Sequence, residues 1–419
     1  PSRPGEMRAP WRQWVWSPVA AGVIGGSFIA VIGNLDGMVQ MIQNLWHMVV
    51  DGTPFRAFDF WHSSRMLPSL ENIEPNLLAF WVPEKITGYS EVSFHITEFP
   101  FFTFLFADLH AHMMVIPFTL LVVGLGLNLV VGLKDGGRIW TITATVVLGL
   151  GLGSLWVVNS WDFPSYLILT LGLLSLAVYF VGGTLTARLT LFALLAVTVV
   201  GVSILAFLPF HQTYETFNSG LEASKWRTPV HRFLGIHGLF LFVIASFLLY
   251  QARDVLRGLT GSVRYRNYDP AVPGMRWMRV CIGVALLGAI FFGAAGFWNV
   301  TLLFVFLTLA GIVAWKVFAS NDESRAYEAV PLFLLGLALF IGIGVDLVRV
   351  EGDIGRMNTL FKYYLEIWVL LSVVSAYMLW QLGTSGFLKT AFGVGSGIWA
   401  IALVALLGSS LIYTSFGSR

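Results

Sequence analysis

The stretch that decides the fold is Ile139 to Val158, IWTITATVVLGLGLGSLWVV, which contains no charged residue. A helix of about 20 residues crosses the roughly 30 Å hydrocarbon core of a bilayer. Comparable apolar runs recur along the chain and are separated by short polar connections. A transmembrane β-barrel would instead show alternating segments of about ten residues. The pattern therefore predicts a series of membrane-spanning α-helices.

The composition supports the same class of protein. Of the 419 residues, 57% are hydrophobic and 11% are charged, whereas charged residues make up about a quarter of a typical soluble domain. The single cysteine, Cys281, excludes an intrachain disulfide. The net charge of +2 gives no reason to expect a nucleic-acid partner, and membrane lipids are the expected surroundings.

Hydropathy predicts an all-α, polytopic transmembrane helix bundle that forms a single integral-membrane domain over residues 1–419. The first helix falls within 1–34, an outer loop fills 35–112, and 113–419 hold the remaining helices. Amphipathic pieces of the loop, such as Met38 to Val50, predict helices that lie in the membrane interface. The eleven predicted spans are 17–34, 113–133, 139–158, 163–182, 187–208, 232–252, 277–297, 299–318, 329–348, 361–381 and 394–414.

The charges of the loops predict the orientation. If the N-terminus is cytoplasmic, about 15 of the 25 Lys and Arg residues fall on the inner side, as the positive-inside rule requires. Most of the 23 acidic residues fall on the outer side. The basic stretch Arg253 to Arg279 is then a cytoplasmic loop suited to anionic headgroups. We expect an integral protein of a prokaryotic plasma membrane with its acidic, histidine-containing face extracytoplasmic.

The first group of candidate functional residues precedes the second predicted span. Glu98 and Asp108 are candidate catalytic carboxylates. Asp108, His110 and His112 are candidate ligands of a divalent cation such as Mg²⁺ or Mn²⁺, because Asp108 and His112 would share one face of a helix. The alternative is that these groups are only solvated at a helix mouth, with Asp108 as the cap.

The second group is the string NSWDFP from Asn159 to Pro164. Asp162 is the third candidate catalytic carboxylate. It precedes Pro164 by two residues, so the alternative is that it caps the helix that starts near Phe163. The flanking aromatic residues suit the belt at the membrane interface.

The third group, Glu351 to Tyr364, stands at the mouth of the tenth predicted span. Arg356 and Lys362 are candidate phosphate-binding residues, because arginine binds phosphate bidentately and lysine acts as a point charge. Asn358 beside them and Arg65 in the outer loop are further candidates for binding the substrate. The alternative is a pair of cations that snorkel to the headgroups.

Two acidic residues fall inside predicted spans, where an unpaired charge is costly. Glu366 is four residues beyond Lys362 and is expected to pair with it. Asp346 also needs a partner, and Arg349 is the nearest basic residue in the sequence. Asn34 to Gly37, just after the first span, predicts a turn.

Three strings together resemble the YYY membrane-protein family, a group of prokaryotic polytopic proteins: Thr97 to His110, Ser160 to Pro164 and Arg356 to Tyr364. That family is similar in general plan to the GT-C glycosyltransferases, which use polyprenyl-phosphate-linked sugars on the extracytoplasmic side. The resemblance implies a glycosyltransferase module with a polyprenyl-phosphate donor. The acidic groups would then act on the acceptor, and Arg356 and Lys362 would neutralise the departing phosphate.

The chain departs from that family in one respect. The tyrosine run and the adjacent proline-rich, Asp-containing loop of the family are not in this sequence, which begins at Pro1. We therefore expect a fragment, a partner chain that supplies the N-terminal portion, or a non-catalytic structural subunit of a larger membrane assembly. A transporter is disfavoured, because the unusual polar residues gather at one mouth and not at mid-membrane.

Overall fold

The computed structural model describes residues 17–68, 94–107, 109–215, 220–259, 275–319, 326–385, 387 and 394–418. Within these residues, nine helices are long and apolar enough to cross a membrane. Two shorter apolar helical stretches, Pro18–Ala30 and Ile282–Ala294, account for the other two predicted spans. The prediction of an all-α, polytopic helical protein is confirmed.

The described helices are numbered here in chain order. They are α1 (Pro18–Ala30), α2 (Asp36–Val50), α3 (Pro100–Phe106), α4 (Ala111–Met114), α5 (Ile116–Gly132), α6 (Arg138–Val158), α7 (Asp162–Val181), α8 (Leu185–Leu205), α9 (Leu208–Thr213), α10 (Val230–Leu259), α11 (Met275–Ala294), α12 (Trp298–Ala319), α13 (Ala326–Leu347), α14 (Met357–Thr384) and α15 (Val394–Gly417).

Proline and capping residues set several helix starts. Ser17 precedes Pro18 and accepts a hydrogen bond from the Ala20 amide at 3.1 Å, so α1 begins with a side-chain cap. The predicted span 113–133 is divided into α4 and α5 around Val115. Pro117 has no amide hydrogen for the carbonyl of Met113, which explains the break.

Helix α14 is the centre of the bundle. It packs against α1, α10 and α13, and 78% of its apolar window is buried. The Trp368 indole donates a hydrogen bond to the Phe28 carbonyl of α1 at 3.0 Å, and the Phe99 ring stacks on the same indole at 5.4 Å. The segment before α3 is thereby fixed to the central helix.

Helix α2 turns its polar residues inward. Asp36, Gln40 and Asn44 are buried, whereas Trp46 is 64% and Val49 is 77% exposed. A water-soluble helix would bury the opposite face. The exposed apolar face supports the sequence-based prediction of a helix that lies against lipid.

Two short antiparallel strand pairs stand at one end of the bundle. Strand β1 (Leu67–Pro68) pairs with β2 (Phe94–His95), and β3 (Leu221–Ala223) pairs with β4 (Val348–Val350). This end, at which α5, α7 and α14 begin and α13 ends, is called the site face below. It holds the described candidate residues of all three sequence groups.

Candidate functional site

Glu98 lies just before α3 and between two basic side chains. Its Oε1 is 3.8 Å from Nη1 of Arg65, and its Oε2 is 3.7 Å from Nε2 of His112. The hydroxyl of Thr103 donates to Oε2 at 3.3 Å. The Glu98 side chain is 13% exposed, so the carboxylate is shielded from water but open on one side. We call Arg65, Glu98 and His112 the Glu98 cluster.

Arg65 is held in place by its own loop. Its Nη1 donates to the carbonyl and the hydroxyl of Ser64, both at 2.9 Å, and its guanidinium lies 5.5 Å from the centre of the Trp61 ring. Burial lowers the pKa of Arg65, and the charge of Glu98 opposes that shift. An arginine remains protonated in any case, so the cluster contains a fixed positive charge.

His112 is the buried member of the cluster. Its side chain is 4% exposed, and its Nε2 has no hydrogen-bond partner among the described residues. The ring lies 4.4 Å from that of Phe361 in α14 and 5.4 Å from that of His110. A buried ring nitrogen without a partner is costly in a finished core. Its position therefore suits a group that binds a ligand or accepts a proton.

The metal prediction rests on a residue outside the described part of the chain. Asp108 is not described, and His110 is exposed beside His112. Among the residues that the structure describes, no three His, Cys, Asp or Glu side chains converge closely enough to hold a metal ion. Glu98 and His112 supply two donors, so a divalent cation at this point depends on Asp108.

Exposed apolar side chains lie beside the cluster in the structure or in the chain, and we call them its apolar rim. Trp61 is 47%, Phe106 is 46% and Leu109 is 74% exposed. Trp61 contacts the Phe106 ring edge-on at 5.3 Å. Exposed aromatic and aliphatic side chains next to a shielded cation suit an amphipathic ligand with an anionic head and a lipid chain.

Asp162 is the first residue of α7 and is 3% exposed. It does not cap the helix, contrary to the sequence-based alternative, because α7 shows no side-chain cap bond. Its carboxylate instead accepts a hydrogen bond from the side-chain amide of Asn159. The neighbouring carboxyl group is that of Glu366 in α14. Asp162 is therefore one member of a buried acidic pair.

Lys362 lies on α14 between Phe361, which contacts His112 of the Glu98 cluster, and Glu366 of the acidic pair. Its ammonium is 4.6 Å from the centre of the Trp161 ring, and Asp162 and Asp353 attract it electrostatically. The expected ion pair with Glu366 is not formed, since no cation lies within hydrogen-bond distance of the Glu366 oxygens in the described structure. Trp161 is thus the close partner of Lys362 at the site face.

Arg356 is in a closed network and not in an open cleft. Its side chain is 1% exposed, and its Nη1 donates to Asp346 Oδ1 at 2.6 Å. Its Nη2 donates to the Thr228 hydroxyl at 3.0 Å. The other oxygen of Asp346 accepts from the Asn299 amide at 3.0 Å. The prediction that Arg349 pairs with Asp346 is therefore wrong.

Arg349 faces another way because strand β4 directs it across the ladder. Its Nη2 is 2.7 Å from the carboxylate of Glu222 on β3, and its guanidinium lies 4.8 Å from the centre of the Trp226 ring. Asn358 is also committed, since its amide donates to Asp353 at 3.0 Å. Neither side chain is placed to bind a substrate in this conformation.

The structure thus divides the predicted site residues among three places. Glu98, Arg65 and His112 form one cluster. Phe361 connects that cluster to Lys362 and, beyond it, to the buried Asp162. Arg356 lies in the separate network with Asp346, which the ordering of charges in the sequence could not reveal.

A further polar group was not predicted from the sequence, although Asp36 falls within the turn predicted at Asn34 to Gly37. Asp36 at the start of α2 is 1% exposed and lies 2.9 Å from Nδ1 of His62. The same carboxylate accepts from Ser63 at 2.7 Å and from Gln40 at 2.8 Å. The hydrogen bond with Asp36 raises the pKa of His62. Burial favours a raised pKa for Asp36, but the bond and charge of His62 outweigh it and hold that pKa below its usual value.

A cavity of about 80 Å³ lies at the opposite end of the bundle. Its polar lining consists of Gln251, Lys316, Glu328, Tyr377 and Gln381, near the far ends of α10, α12 and α14 and the start of α13. None of the candidate residues lines it. This cavity therefore does not mark the site, and the chemistry at the site face is the better guide.

Comparison with known families agrees with the polytopic architecture. A family model described as "Uncharacterized membrane protein (DUF2298)" matches residues 6–371. The chain belongs to the DUF2298 family. The match includes the Glu98 cluster, the acidic pair and the Arg356 network. No curated protein and no solved structure gave a match. DUF2298 membership establishes a membrane protein, and its activity has to be argued from the site.

Proposed function

We propose that the protein is a module of a membrane glycosyltransferase that uses a polyprenyl-phosphate-linked sugar at the extracytoplasmic face. The observation that carries the proposal is the position of Glu98 between Arg65 and His112 at the mouth of the bundle. It combines a shielded carboxylate, a fixed cation and an imidazole nitrogen without a partner. The apolar rim beside them suits the lipid chain of the donor.

The cluster supplies the groups that glycosyl transfer needs. The acceptor hydroxyl oxygen bonds to the anomeric carbon of the sugar, and the bond from that carbon to the phosphate oxygen breaks. The electron pair goes to the phosphate oxygen, whose charge Arg65 neutralises. The acceptor proton goes to Glu98, with His112 positioned to orient or relay it. Such proton transfer contributes roughly 10²–10⁴-fold to a rate.

Arg65 and Lys362 are the phosphate-binding residues in this proposal. The sequence favoured Arg356, but its guanidinium is closed off by Asp346 and Thr228. Lys362 is half-buried beside Trp161 on the same face. A ring and a cation together suit the headgroup end of a lipid phosphate.

The proposal includes a divalent cation at one position, between Glu98 and His112. Glu98 and His112 are 3.7 Å apart, a gap that two metal–ligand bonds of about 2.1 Å each can span. Mg²⁺ or Mn²⁺ held there, with Asp108 as a further ligand, would supply Lewis-acid neutralisation of phosphate charge. Mn²⁺ binding followed by electron paramagnetic resonance tests it, and binding unchanged in His112→Ala would exclude this site.

The test of the function is turnover in membranes that contain the complete protein and any partner chain. With a polyprenyl-phosphate-linked sugar donor, Glu98→Gln should lower turnover by roughly 10²–10⁴-fold, because the amide cannot take the proton. Glu351→Gln is the matched control, since Glu351 is an exposed carboxylate on the same face. Equal turnover of the two variants would contradict the proposal.

A structural subunit is the second candidate, and one observation favours it. The apolar windows of α8 and the last helix, α15, are only 17% and 11% buried. These faces are open to lipid or to the helices of a partner chain. Co-purification of a second membrane protein through α15, together with an inert Glu98→Gln variant, would support this function over catalysis.

A further inference from the structure

Two acidic side chains lie side by side within the membrane-spanning helices. Asp162 of α7 and Glu366 of α14 are 3% and 4% exposed, and each is the other's carboxyl neighbour. The hydroxyl of Ser165 is also close to Glu366. Even so, no well-formed hydrogen bond reaches either Glu366 oxygen from the described residues. An ionised carboxylate without donors is very costly at this depth.

A second polar group at the same place also lacks a partner. Tyr166 is one turn beyond Asp162 on α7, is fully buried, and is influenced electrostatically by both carboxyl groups. Its hydroxyl has no hydrogen-bond partner among the described residues. The Thr119 hydroxyl of α5 is nearby and donates to the Ile116 carbonyl at 2.8 Å. Because no hydrogen bond engages the Tyr166 hydroxyl in the described structure, its oxygen is available to a ligand held by the acidic pair.

The charges around the pair do not balance. Among the described residues, the charged groups that face it are Asp162, Glu366 and Lys362, and the other titratable groups are Tyr166 and Tyr363. Two carboxylates and one ammonium leave a net charge of −1. Adjacent buried carboxyl groups cannot both ionise cheaply without a counter-charge. One added positive charge makes the group neutral, whereas a divalent ion would leave it at +1.

We propose that Asp162 and Glu366 form a buried site for one monovalent cation, with the Tyr166 hydroxyl as a third oxygen donor. The cation is a proton shared between the carboxyl groups or a Na⁺ ion held by their oxygens. Both occupants supply the same single positive charge. None of its three oxygen donors belongs to the Glu98 cluster, so the proposal does not rest on glycosyl transfer.

The experiment is infrared difference spectroscopy on the purified full chain in nanodiscs. In the proton form, lowering the pH from about 9 to 6 in choline buffer should produce the carbonyl band of a protonated carboxylic acid. Glu366→Gln should lose this band, and Glu351→Gln should keep it. The band in wild type and its loss in Glu366→Gln support a shared proton.

The Na⁺ form is distinguished in the same samples. Replacing choline by Na⁺ at constant pH should then shift the carboxylate bands and raise the unfolding temperature of the wild type. Both effects should be absent from Glu366→Gln and present in Glu351→Gln. If Glu366→Gln does not fold, Asp162→Asn takes its place, and the wild-type spectra are recorded in any case. Wild-type protein with neither an acid band nor a response to Na⁺ would overturn the proposal. An acid band or a Na⁺ response that persists in Glu366→Gln and in Asp162→Asn would also overturn it.

Discussion

Replacing Arg356 by methionine is expected to destabilise the protein far more than an ordinary surface change. The substitution keeps much of the apolar stem but removes the guanidinium that donates to Asp346, Thr228 and the Val345 carbonyl. Asp346 is 1% exposed, so its charge would remain buried without its cation. Removing one partner of a buried ion pair costs roughly 3–5 kcal/mol.

Two further variants test whether the loss of stability in Arg356→Met comes from the broken ion pair. Arg356→Lys keeps a charge beside Asp346 but cannot reproduce the other two hydrogen bonds, so the expected loss is about 1–3 kcal/mol. The double variant Arg356→Met with Asp346→Asn should recover part of the loss, because no buried charge is left unpaired.

The assay is reversible unfolding in mixed micelles, followed by tryptophan fluorescence. Arg227→Met is the control, since Arg227 lies on the same face and stacks 4.5 Å from the centre of the Phe297 ring. Arg227 is half-buried, and loss of such a contact costs about 0.5–2 kcal/mol. If Arg356→Met and Arg227→Met unfold within about 0.5 kcal/mol of each other, Arg356 does not hold a buried ion pair, and its role in phosphate binding would have to be reconsidered.

The remaining predictions concern pH and orientation. The raised pKa of His62 stabilises the folded protein below pH 6.5, the ordinary pKa of histidine, and this stability is lost as the pH rises through the raised pKa. The lowered pKa of Asp36 stabilises the folded protein above pH 3.8, the ordinary pKa of aspartate, and this stability is lost as the pH falls through the lowered pKa. The unfolding temperature of the wild type should therefore exceed that of His62→Gln by the largest margin between about pH 4 and 6.5. A difference that stays constant within and outside this pH range would refute a stabilising ion pair between Asp36 and His62. For orientation, a cysteine at Glu222 on a Cys281-free background should react with an impermeant reagent from outside intact cells, and one at Asp135 should not. Labelling at position 135 and not at position 222 would show that the predicted orientation is wrong.

The spans were predictable from the sequence because length and apolarity alone decide which helices cross a membrane. Ile139 to Val158 agrees with α6 to within one residue at its start. The tenth span was predicted too short. Residues 357–360 and 382–384 of α14 are also helical, because helix termini depend on packing and capping that hydropathy does not measure.

The side-chain pairs were less predictable, because they depend on how each helix is rotated about its axis. Asp346 was assigned to Arg349, three residues away. Strand β4 instead directs Arg349 toward Glu222, and Arg356 forms the ion pair with Asp346. Asp36 and His62 are 26 residues apart, so no local pattern connects them. Glu98 and His112 were placed on one side correctly, but hydropathy does not predict their approach to within 3.7 Å or the contact of the His112 ring with Phe361 of α14.

The central claim is that a lipid-linked phosphate binds at Arg65 beside Glu98, and photo-crosslinking tests it most directly. A polyprenyl phosphate that carries a photoreactive group next to the phosphate would be illuminated with the complete protein in membranes, and the labelled peptides identified by mass spectrometry. The account predicts labelling in 61–65 and 98–112, competed by unlabelled polyprenyl phosphate and strongly reduced in Arg65→Met. Labelling confined to the cavity end of the bundle, near Gln251 and Gln381, or labelling unchanged in Arg65→Met, would contradict it.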